Sequence, residues 1–97
     1  MVRAIWNDVV VAESDETVLV EGHHYFPLDS VAQEHLRSSE LITRCFWKGT
    51  ANYYDVVVDD AVAKDGAWTY RAPSEAAGNI RDYIAFWHGV RVVADGG

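Results

Sequence analysis

The chain has 97 residues, 49% of them apolar and 24% charged, with a net charge of −7 at neutral pH. That is enough for one domain with its own core, and too apolar and aromatic for a disordered chain. The basic residues are scattered from Arg3 to Arg91, which argues against nucleic acid, whose phosphates need Lys and Arg on one face. Apolar runs of about five residues are too short to cross a bilayer. One cysteine, and no basic region followed by an apolar run at the N-terminus, point to a reducing cytoplasm and not to secretion.

In chain order, the sequence predicts strands over 2–7 and 9–13, joined by Asn7-Asp8, a pair suited to the positive φ of a hairpin turn. A third strand is expected over 17–21. Gly22-His23-His24 breaks it, and Tyr25-Phe26 is a short extended piece stopped by Pro27. Ser30 with Gln33 fits a capping box behind Asp29, so a short helix is expected over 30–37, ended by Ser38-Ser39. Residues 41–44 read as a strand leading into Cys45 and a Trp47-Lys48-Gly49 turn.

The strand predicted over 50–59 alternates, with Tyr54, Val56 and Val58 on the face expected to meet the core, and Tyr53 and Asp55 on the other. Asp59-Asp60 is a turn, Ala61-Val62-Ala63 returns, and Asp65-Gly66 carries a second hairpin signal before a strand at 67–70. Ser74 begins a capped helical turn over 74–81. His88-Gly89 reads as a hairpin turn between strands at 83–87 and 90–93, and Asp95-Gly96-Gly97 is expected to fray. Many short strands with tight turns indicate a mainly β, antiparallel domain carrying two short helices.

The densest chemistry lies in the stretch Cys45 to Tyr54. Lys48 stands three residues from Cys45, where its ammonium could stabilise a thiolate nucleophile; the alternative is a small apolar core cysteine beside a solvated turn charge. Tyr25, Trp47, Tyr53, Tyr54, Trp68 and Trp87 could wall an aromatic pocket, with Lys48 at its edge, or simply fill a core. Adjacent His23 and His24 point to opposite faces, so at most one reaches a shared site. There is no Cys-x-x-Cys and no His-x-x-x-His, so neither a metal nor any other cofactor is expected.

The ordered motifs Tyr25-Phe26-Pro27, Cys45-Phe46-Trp47-Lys48-Gly49-Thr50-Ala51-Asn52-Tyr53-Tyr54, Ala67-Trp68-Thr69-Tyr70 and Tyr83-Ile84-Ala85-Phe86-Trp87 resemble the "domain of unknown function 427" family. That family is also catalogued under a nucleotidyltransferase-like name. The resemblance implies a strongly coiled, mainly β, Mss4-like fold and brings no reaction with it. Phe46 and Arg71 stand where the family usually has proline. The residues themselves do not support nucleotidyl transfer: Lys48-Gly49-Thr50 reverses the P-loop order and lacks its glycines. The expectation is therefore a small domain that binds a small molecule or a peptide in the aromatic pocket. A thiol enzyme using Cys45 and Lys48 is the alternative, and a structural module that forms a homodimer through a free sheet edge is the third reading.

Overall fold

Asn7 and Asp8, with φ of 50° and 63°, reverse the chain into its first hairpin. Their short polar side chains tolerate this left-handed backbone, as the sequence predicts. The hairpin joins β1 (Val2–Trp6) to β2 (Val9–Ser14), with a bulge between Ala4 and Ile5. The structure is a computed structural model and describes residues 1–94; the expectation for Asp95-Gly96-Gly97 lies outside the described residues. β9 (Arg91–Ala94) pairs with the other side of β1 and completes a three-stranded sheet. β3 (Val18–Val20) and β4 (His23–Tyr25) form a small hairpin turned by Glu21-Gly22, both at positive φ. The main sheet is antiparallel and runs β5 (Leu36–Cys45), β6 (Gly49–Val58), β7 (Ala61–Thr69), β8 (Ile84–Phe86).

The mainly β, antiparallel prediction holds, with four local corrections. No helix forms over 30–37: two single 3₁₀ turns, Leu28–Ser30 and Gln33–His35, run directly into β5. The capping box loses to β-pairing, because Val31 bridges Ala12 and the Ala32 N–H donates to Val11 O at 2.8 Å. The Ser30 hydroxyl donates to Pro27 O instead of capping. Likewise Glu75–Ile80 is 3₁₀, and Ser74 makes no side-chain cap because its hydroxyl donates to Trp47 O at 2.5 Å.

Asp65-Gly66 is no hairpin turn. It is a bulge inside β7, where Tyr54 faces Ala67 but Val56 faces Ala63. Buried Asp55 holds it open by accepting the Asp65 N–H at 2.9 Å. His88 and Gly89 do turn the chain, but β8 pairs with β7 while β9 pairs with β1, so they connect two sheets and close no hairpin. The strong coiling that the resemblance implies is not seen, since no sheet is strongly curled.

Alternation on the main sheet makes two apolar layers. Val56, Val58, Ala67, Phe86 and Ile84 meet Ala4, Val11 and Val90 in the first. Phe26 lies fully buried there, edge-on to Phe86 with centroids 5.5 Å apart. Ala51, Tyr53, Trp68 and Ala85 point the other way and pack with Tyr25, Tyr70 and Ile80. The central strands therefore have both faces covered, and β6 buries Tyr53 as well as Val56 and Val58. The Cα radius of gyration, 12.6 Å, is near the ~13 Å of one compact unit of this length.

Candidate functional site

The second layer is not sealed. A cleft of about 280 Å³ opens into it, lined by Tyr25, Tyr53, Trp68, Tyr70 and Trp87 together with Glu21, His23 and Lys48. Tyr25, Tyr53 and Trp68 are carried on strands, and these three rings and Trp87 also have polar anchors. Trp68 Nε1 donates to the Tyr25 hydroxyl at 3.2 Å, and Tyr53 OH shares a 3.1 Å hydrogen bond with Thr43. Trp87, at the rim, hangs from the β7 bulge: its backbone N–H donates to Gly66 O at 2.9 Å and its Nε1 to Asp65 O at 2.6 Å. The rings contact one another edge-on or tilted, with Trp68 centroids 5.2 Å from Trp87 and 6.1 Å from Tyr25. Such quadrupole-matched geometry makes a firm wall.

Lys48 is the charged feature of this wall. Only 7% of it is exposed. Its ammonium lies 5.3 Å from the Trp47 centroid and 5.6 Å from that of Tyr70, cation–π range for both. It donates a hydrogen bond to the Glu21 carboxylate, reaching across from the β3–β4 turn. Burial pushes the Lys48 pKa down, but the Glu21 hydrogen bond and the nearby Tyr25, Tyr70 and Cys45 outweigh it and raise the pKa overall. Lys48 therefore serves as a fixed positive charge and not as a neutral amine nucleophile. The Glu21 carboxyl is held low, first by its hydrogen bond from Lys48. Burial lifts the Tyr25 phenol above its ordinary value and carries that of Tyr70 to about 12, despite the opposing pull of Lys48.

Of the residues singled out from sequence, Tyr25, Lys48, Tyr53, Trp68 and Trp87 come together at the cleft. Trp47 does not line it; it is half-buried, with the Lys48 ammonium over its ring. Tyr54 does not reach it: it packs against the first layer, and its hydroxyl accepts from Arg71 at 3.1 Å. Cys45 is half-buried at the end of β5, opposite Gly49, and packs against the second layer. The hydrogen bond of Lys48 goes to Glu21. His23 turns its ring edge to Trp68, 5.0 Å between centroids, while His24 bonds Thr17, so the two histidines separate as expected.

Glu21 and Tyr70 escape a sequence reading. Glu21 lies 27 positions before Lys48, and no local pattern joins them. Tyr70 was legible only as the last residue of the Ala67-Trp68-Thr69-Tyr70 motif. Phe46 is 98% exposed at the β5–β6 turn. No group of three or more His, Cys, Asp or Glu converges among the described residues, and no helix there is long and apolar enough to cross a membrane.

A comparison with curated proteins finds no match. The family model described as "Domain of unknown function (DUF427)" matches residues 1–96, and the chain belongs to that family.

Proposed function

We propose that this domain binds a small, flat, largely apolar molecule, or a peptide side chain of that kind, in the aromatic cleft. The observation that carries this reading is an open space of about 280 Å³ walled by five large rings, four of which, Tyr25, Tyr53, Trp68 and Trp87, already have hydrogen-bond partners for their polar atoms. A structural core of the same rings would close over them. Concave, ring-lined sites with a few polar groups suit planar ligands, and this volume suits one or two fused rings. Saturation-transfer NMR with a panel of mono- and bicyclic aromatic fragments tests it. A subset should bind and compete with one another, and Trp68→Ala should abolish binding while far-UV circular dichroism keeps its β signature. If no fragment binds the native protein, the reading fails.

Catalysis by Cys45 has less support, because its thiol is half-buried and the hydrogen bond of Lys48 goes to Glu21. Homodimerisation has the β5 edge, beside which Leu41, Ile42 and Phe46 are exposed. The lone cysteine supports a cytoplasmic setting, and an Mss4-like relationship rests on the family resemblance.

A further inference from the structure

Lys48 and Glu21 are unequal partners. Lys48 is buried, and its ammonium lies within cation–π range of both Trp47 and Tyr70. The Glu21 side chain is 55% exposed and stands at φ 52° on a two-residue turn with Gly22. A buried ammonium needs an anion beside it, because an uncompensated buried charge is strongly destabilising. An exposed carboxylate loses little on leaving, since water takes over its hydrogen bonds. Both groups line the cleft, and Lys48 is its only Lys or Arg. The domain as a whole carries −7, so a cation buried at the floor of an aromatic cleft runs against the general charge.

Resting on the cleft reading above, we infer that the ligand is a planar aromatic carboxylate whose anionic group takes the place of Glu21 on Lys48. Glu21 is then a built-in stand-in that keeps the ammonium paired while the cleft is empty. Its displacement swings the β3–β4 turn outward and leaves the rings to grip the flat body of the ligand. Affinity for the carboxylate is the difference between its own contact with Lys48 and the one Glu21 gives up. Removing Glu21's charge therefore tightens binding of an anion and does nothing for a neutral analogue.

Matched probes test this: 2-naphthoate and 2-naphthamide, titrated by tryptophan fluorescence into the native protein, Glu21→Gln and Lys48→Met. Naphthoate should bind about tenfold tighter than naphthamide, and Glu21→Gln should tighten naphthoate by about tenfold more while leaving naphthamide nearly unchanged. Lys48→Met, if folded, should make the two probes equal; if it does not fold, the Glu21→Gln comparison decides alone. Equal binding of both probes to the native protein, with no gain for naphthoate in Glu21→Gln, overturns the anion inference and leaves the aromatic cleft standing. No binding of either probe to folded native protein or folded Glu21→Gln removes the cleft reading and this inference together.

Discussion

Asp55 ties the stability of the domain to the shape of its cleft, and replacing it by Ala should expose that link. Its carboxylate is buried, accepts the Asp65 N–H at 2.9 Å, and pairs with Arg37 at 3.1 Å and Lys64 at 3.5 Å. Losing the acceptor strands a backbone donor in the bulge, which costs about 1–3 kcal/mol. The two ion pairs reach to side chains that are 61% and 69% exposed, so they add only about 0–1 kcal/mol. Asp55→Ala should therefore lose about 1–4 kcal/mol, or roughly 5–30 °C in Tm for a domain of this size. Asp55→Asn keeps an oxygen for the Asp65 N–H and should lose about half as much.

The pH dependence follows from the same contacts. Burial pushes the Asp55 carboxyl up, but the Asp65 N–H, Arg37 and Lys64 outweigh it and hold its pKa below the ordinary 3.8. A lowered folded pKa gives stability that is complete above the unfolded value and lost as pH falls through the folded one. Urea unfolding should thus show the full gap between native protein and Asp55→Ala at pH ~7, and a narrower gap below pH ~4. The near-UV circular dichroism of tryptophan should weaken too, because Trp87 hangs from carbonyls of the bulge. A loss below about 1 kcal/mol, or a gap that widens on acidification, would refute the reasoning.

Two further outcomes are expected. Gly66→Ala would place a Cβ 2.9 Å from both Ala63 Cβ and Ala63 O and 3.4 Å from Val56 Cγ2, so equilibrium unfolding should show a loss of about 1–3 kcal/mol; an unchanged urea midpoint would mean the bulge is slack. In alkali, phenolate absorbance should show Tyr25 and Tyr70 ionising late, Tyr70 near 12, with Tyr70→Phe removing the last step. Because both folded values are raised, their stabilising contribution is complete below about pH 10 and is lost as pH climbs through them. Lys48→Met should delay both phenols further, since its ammonium favours the phenolates; early ionisation of all tyrosines would show that the second layer is open to water.

Strand content, antiparallel order and the Asn7-Asp8 turn were legible because they depend on neighbours within a few positions: alternation of apolar residues, β-branched runs, and side chains that tolerate positive φ. The residues around Lys48 stood out by composition for the same reason, and Tyr25, Tyr53 and Trp68 line one cleft with Lys48. Where local and distant preferences competed, sequence alone misled. Ser30 and Gln33 spell a helix cap, but Val31 gains more by bridging Ala12, 19 positions away, and Leu36 by pairing with Val56. Asp65-Gly66 spells a hairpin, but Asp55 draws the Asp65 N–H into a bulge. His88-Gly89 turns the chain as written, yet its two strands find their partners in different sheets. The pairing of Lys48 with Glu21 joins two turns through space. Local sequence determined most of the extended segments, several turns and the face of β6 that Tyr54 shares with Val56 and Val58; only tertiary packing decided which strands meet and which anion neutralises the buried lysine, because those choices are made by contacts that no short window contains.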